Sequence, residues 1–166
     1  MAGQRVTRPA VHTEEESRIE GWMATGIERR QQADFGKKWL AKGKEALERG
    51  HILEAIESLR QAIEADSHSI EAYLYLGIAL AMDAQVYEAI DSFEAALALS
   101  PNDFMVNLKL AELYFKLCVP EKGRKYVVAA MEASSTPQER QLVRTLMSQE
   151  SEQEKRRIYR PTFGRS

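Results

Sequence analysis

The residues able to do chemistry by type are few, and their spacing does not suit it. Three histidines, His12, His51 and His68, and one cysteine, Cys118, are the natural ligands and nucleophiles of the chain. Metal sites draw such residues in clusters at short, regular intervals, and here they are scattered. A nucleophilic cysteine needs a base within hydrogen-bonding reach, and no histidine is near Cys118 in sequence. There is no GxxxxGK[ST] loop, no dinucleotide fingerprint, no HExxH and no CxxC. The many glutamates read as the solvated faces of helices. The sequence therefore predicts no enzyme activity, no cofactor and no metal.

The charge balance narrows the partners. Lys and Arg number 23 against 25 Asp and Glu, a formal charge of −2, so no strong field points toward nucleic acid or an anionic membrane. The signs are uneven at one place: Lys155, Arg156, Arg157, Arg160 and Arg165 fall in a C-terminal stretch without acids. No window is apolar enough to span a bilayer. A single cysteine suits a reducing compartment, and no apolar run follows the basic residue near the N-terminus, so a secretory leader of the usual form is not expected. The expectation is a soluble, cytoplasmic protein.

What must position any functional surface is a repeat. Gly43, Gly77 and Ala111 lie 34 residues apart, as do Ala55, Ala89 and Gly123, then Leu59, Phe93 and Val127, then Ala62, Ala96 and Ala130. Small residues in the first two columns let helices approach closely. The third column puts a large apolar group between units, and the alanines of the fourth pack where successive units meet. These are packing requirements, so the columns report architecture. Inside the second unit Tyr73, Leu76, Gly77 and Leu80 follow helical spacing, as do Ala89, Phe93, Ala96 and Leu97. The first helix of that unit ends around Met82 to Val86. Gly50 marks the same turn in the first unit, and Cys118-Val119-Pro120 marks it in the third, with proline tolerated at a helix start.

Tyr73-x2-Leu76-Gly77-x2-Leu80, Ala89-x3-Phe93-x2-Ala96 and then Pro101 resembles the tetratricopeptide repeat signature almost position for position. Trp39-x2-Lys42-Gly43-x2-Ala46 with Ala55-x3-Leu59-x2-Ala62 is a second such unit, departing at Lys42 and Ser67. Asn107-x2-Leu110-Ala111-x2-Tyr114 with Gly123-x3-Val127-x2-Ala130 is a third, departing at Asn107 and Gly123. The resemblance implies an all-α, right-handed superhelix of antiparallel helix pairs, with units at 36–69, 70–103 and 104–137.

The flanks extend that frame. Residues 1–12 show no periodicity and are expected to be a disordered tail. Thr13-Glu14-Glu15-Glu16 is a capping box opening an extra N-terminal helix over 13–35, with Ile19, Met23 and Ile27 on one face and Trp22 beside it. That helix is expected to pack against the first unit or to serve in a homodimer. Thr136-Pro137-Gln138-Glu139 is a second capping box. It opens a capping helix over 138–158, apolar on one side through Leu142, Val143, Leu146 and Met147. Residues 159–166 read as a basic tail in which Tyr159 and Phe163 form a candidate docking peptide.

The resemblance also implies which residues face the concave side. In the first unit these are Lys37, Leu40, Lys44, Leu47 and Glu48. The second unit contributes Glu71, Leu74, Ile78, Ala81 and Met82, and the third Met105, Leu108, Glu112, Phe115 and Lys116. Leu40, Leu74, Ile78, Met82, Leu108 and Phe115 are apolar, and an apolar groove is expected to take a peptide or helical segment of another protein. Some family members clamp an acidic chaperone tail with asparagines at the positions of Lys44 and Tyr75; that clamp is not expected here. The leading expectation is an adaptor or scaffold. The alternatives are a dedicated chaperone resembling those of type III secretion translocators, and a self-assembling scaffold. The lesser alternative for the groove is that the chain's own N-terminal helix or tail fills it.

Overall fold

The computed structural model describes residues 14–158, with side chains from 30 to 157. Among them there are seven helices and no strand: α1 (Glu14–Glu48), α2 (Ile52–Ala65), α3 (Ile70–Met82), α4 (Val86–Leu99), α5 (Phe104–Lys116), α6 (Pro120–Ala133) and α7 (Pro137–Ile158). α1 pairs with α2, α3 with α4 and α5 with α6, and each pair stacks on the next. The result is an all-α superhelix of antiparallel pairs, closed at its C-terminal end by α7 against α5 and α6.

Close approach within a pair depends on the small-residue column. A Cβ built on Gly43 would stand 2.6 Å from Leu59 Cγ, and one on Gly77 would stand 2.6 Å from the Phe93 ring. The large residue of one helix thus occupies the space that the glycine of its partner leaves. Ala55, Leu59, Ala62, Ala89 and Ala96 have no more than traces of exposed surface. All of them but Ala62 belong to one apolar core that runs from Ala46 through Leu80 to Tyr114. A second, smaller core joins Leu108, Ala111, Phe115, Val127, Ala130 and Val143 beneath α7.

The turns between paired helices repeat as faithfully as the core. Gly50, Ala84 and Cys118 have φ of +77°, +61° and +60°, each closing the first helix of its unit in the left-handed region. His51, Gln85 and Val119 then donate their amides back to the carbonyls of Ala46, Leu80 and Tyr114 at 2.8, 2.9 and 3.0 Å. This left-handed cap satisfies carbonyls that the helix end leaves free. Cys118 is therefore an exposed turn residue. At the other ends, Ser69 accepts from the Ala72 amide and Asp103 from the Val106 amide, capping α3 and α5.

The departures of the third unit have structural causes. Asn107, 2% exposed, stands where Trp39 and Tyr73 stand in the other units and donates to the carbonyls of Pro101 and Asp103 at 3.2 and 2.8 Å. It ties down the turn before α5 instead of packing an aromatic ring. Gly123 leaves room for the Phe115 ring, which a Cβ at that position would overlap. The second capping box forms as expected: Thr136 Oγ1 accepts from the Glu139 amide at 3.1 Å, and the Glu139 carboxylate accepts from the amides of Thr136 and Ser135 at 2.9 and 2.7 Å. Those amides hold the Glu139 carboxyl below its ordinary pKa.

Two expectations need correction at the ends. The N-terminal helix and the first helix of the first unit are one unbroken helix, with no turn near residue 35. Gly36 sits beside Ala65, the last residue of α2, so α1 runs on past its partner for about 30 Å at 1.5 Å per residue. A Cβ on Gly26 in this overhang would meet nothing within 4 Å. The side chains of Ile19, Trp22, Met23 and Ile27 lie outside the described ones, as do Thr13, residues 1–12 and the tail with Tyr159 and Phe163. On α7 the apolar side is half covered: Val143 is buried and Leu146 packs beside it, while Leu142 and Met147 are each 49% exposed.

Candidate functional site: the concave face

The first helices of the units, α1, α3 and α5, lie side by side and form the face expected to be concave, and the structure sorts its expected residues into two sets. Lys37, Glu48, Glu71, Met82, Met105 and Lys116 are exposed, and Leu40, Lys44, Leu47, Ile78, Ala81 and Glu112 are partly so. Leu74, Leu108 and Phe115 are buried. Leu74 belongs to the main core, at the seam where α3 meets its neighbours. Leu108 lies under α7 with Val143, and Phe115 turns into the gap at Gly123. The idea that all the apolar groove residues lack a packing reason is thus wrong for these three.

The junction of the first two units is ionic. Lys44 Nζ donates to Glu71 Oε1 at 2.7 Å, bridging α1 and α3, and lies 4.8 Å from the centre of the Tyr75 ring. The hydrogen bond to Glu71 raises the Lys44 pKa above its ordinary value, against a smaller opposing effect of burial. Lys37, Leu40, Lys44 and Glu48 line a shallow depression of about 330 Å³ along α1.

The equivalent pair at the next junction, 34 residues on, is Ile78 and Met105. No charge bridges there. Met82 follows Ile78 by one helical turn and is 58% exposed, and Met105 is 38% exposed. Farther along, Glu112 is held by Lys109 at 2.9 Å. The middle of the face is therefore an apolar stretch set between two ion pairs. At its C-terminal end Leu108, Glu112, Phe115 and Lys116 meet α7 around a pocket of about 380 Å³.

Neither the groove nor the rest of the described residues gathers three or more His, Cys, Asp or Glu side chains able to hold a metal ion. No described helix is long and apolar enough to cross a membrane.

Residues 40–104 match the tetratricopeptide repeat family. That segment is similar to tetratricopeptide repeats. No curated protein matches it in sequence. Among solved structures, the type III secretion translocator chaperone SycD of Yersinia enterocolitica is similar at TM-score 0.67 and 15% identity, over 73% of this chain and 95% of that one. PilF of Pseudomonas aeruginosa is similar at TM-score 0.68 and 21% identity, over 75% of this chain and 56% of that one. The TPR2B domain of yeast Sti1, solved in complex with pHsp70, is similar at TM-score 0.61 and 19% identity, over 69% and 97%. At these identities the likeness is one of fold.

Part of the signal that separates the two sets of groove residues was in the sequence, with Leu40 the exception because it is only partly buried. Leu40, Leu74 and Leu108 occupy one column, and a leucine repeated in every unit marks packing as surely as the glycine column does. Lys44, Ile78 and Glu112 change type from unit to unit, as do Glu48, Met82 and Lys116. The changing columns are the accessible ones. Phe115 was foreshadowed by Gly123, the only glycine in a column of alanines.

Proposed function

We propose that the chain is a protein-interaction adaptor that takes a segment of a partner protein against its concave face. The observation that carries this is the pair of exposed methionines, Met82 and Met105, beside the half-buried Ile78, at a junction whose counterpart one unit earlier is an ion pair. Two methionines left largely to water where charged side chains stand in the other units cost solubility. Burying each against a ligand stabilises a complex by roughly 1.5–3 kcal/mol, so a few such anchors supply micromolar binding after the costs of association. Methionines suit the task because their flexible thioethers follow an irregular surface. An acidic chaperone tail is a poor fit for the N-terminal end of the face, because Lys44 is already committed to Glu71 and Tyr75. Binding of an EEVD-type peptide that disappears in Lys44→Ala would refute that exclusion.

The test compares wild type with Ile78→Glu/Met82→Glu as baits in lysate of the source organism, read by mass spectrometry. A partner kept by wild type and lost by the variant supports the adaptor. Retention of the same partner by both places binding elsewhere. Leu74→Arg is not a usable probe, since Leu74 is core.

The second reading is a dedicated chaperone for an aggregation-prone client. The long overhang of α1 and the near-complete coverage of SycD support it. Co-expression separates the two: an adaptor's partner is soluble by itself, and a client is soluble only with this chain.

A further inference from the structure

At the C-terminal end of the concave face a charge is buried where a solvated one was expected. Glu150 on α7 has a side chain only 8% exposed, in a helix whose neighbouring glutamates and glutamines face water. Its ion pair among the described residues is with Arg157 Nη1 at 3.9 Å, too long for a hydrogen bond, and that arginine is 43% exposed. A carboxylate set in a largely apolar pocket wall favours a cationic head that brings an apolar stem with it.

Glu150 lines the pocket between α5 and α7, whose walls include Leu108, Phe115, Leu142 and Leu146. The other charges there are differently placed. Glu112 is paired with Lys109 at 2.9 Å, and Lys116 is exposed at the rim. Because Phe115 turns toward Gly123, its ring forms a wall of the pocket and does not fill it. The space, about 380 Å³, holds one long side chain with room for the residue beside it.

We propose that this pocket receives an arginine or lysine side chain of the partner segment. Its head pairs with Glu150, its aliphatic stem lies on Leu108, Phe115 and Leu146, and an apolar neighbour rests on Leu142. Long basic side chains combine these two requirements, an apolar stem and a charged tip. The proposal rests on the concave face being the binding face. It adds a polarity to the bound segment: a basic residue at the α7 end, apolar residues over Ile78 and Met82.

The experiment is selection of randomised nine-residue peptides on the whole chain, run in parallel on wild type, Glu150→Gln and Met82→Glu. Wild type should enrich peptides with Arg or Lys beside an apolar residue. For individual peptides Glu150→Gln should weaken binding at least tenfold while leaving the apolar preference intact, and its melting temperature should equal or exceed that of wild type. Peptides without basic enrichment, or basic enrichment unchanged in Glu150→Gln, would overturn the proposal and leave the groove reading standing. No selection by wild type at all would defeat both. An unfolded Glu150→Gln would show that the carboxylate is a packing element, which also overturns it. Basic peptides that bind only after residues 159–166 are removed would assign the pocket to Arg160 and Arg165 of this chain instead.

Discussion

Units two and three present the same helix to the same side of the molecule, yet unit two leaves Ile78 and Met82 accessible where unit three buries Leu108 and Phe115. Ile78 on α3 is partly accessible and Met82 exposed, with no helix of the described residues laid over them. Leu108 and Phe115 on α5 are 4% and 5% exposed, because α7 covers the first and Gly123 admits the second. Apolar character therefore does not mark a binding residue in a stacked array. What marks it is apolar character at a position that the other units fill with charge.

The largest expected effect breaks this contrast directly. Leu108→Arg forces a guanidinium beneath α7 and is expected to cost about 3 kcal/mol or more, enough to unfold the C-terminal half. Met82→Glu, on the open unit, is expected to stay within about 0.5 kcal/mol of wild type in urea denaturation. Comparable losses from both would mean that the two faces are equally buried. Next in size is Gly123→Ala, which drives a methyl group into the Phe115 ring. Overpacking of this kind costs roughly 1–3 kcal/mol, and the ring's exit would shrink the α7 pocket, a change readable by fluorine spectroscopy on labelled phenylalanine.

The turns offer a control in which the two units should agree. Ala84 and Cys118 hold left-handed backbone that glycine adopts without penalty. Ala84→Gly and Cys118→Gly are each expected to stabilise by roughly 0.5 kcal/mol, after the added freedom of glycine in the unfolded chain is set against the relieved strain. Thermal melts would show it, and a gain in one turn only would break the symmetry of the frame. The smallest effect separates the first junction from the second. Lys44 has a raised pKa in the folded state, so its pairing with Glu71 stabilises below the ordinary lysine pKa and fades as pH rises through the raised value. Glu71→Gln should remove a few tenths of a kcal/mol at neutral pH and nothing above that alkaline range. A titration of stability against pH that is superimposable for wild type and Glu71→Gln would contradict the pairing.

The sequence made the architecture legible because packing acts on many residues at once. Four columns at 34-residue intervals specify helix pairs, and the capping box at Thr136 specifies where α7 begins. The concave face was legible as a set of positions and not as a set of exposures. Exposure depends on what lies above each position, and α7 reaches α5 from some forty residues downstream. Glu150 was illegible for the same reason: a glutamate in a polar helix reads as solvated until a neighbouring helix is placed against it. The continuity of α1 was equally hidden, since Asp34 and Gly36 are residue types that favour a helix boundary, and the helix runs through them.

The most direct test of the account places a photoreactive amino acid at Met82, on the concave face, or at Tyr87, which is 83% exposed on the second helix of the same unit. Both versions would be irradiated in cells of the source organism and their adducts compared. The account predicts a discrete protein adduct from position 82 and none of the same mass from position 87. The reverse pattern, an adduct from 87 with 82 silent, would contradict it and move the binding surface to the outer helices.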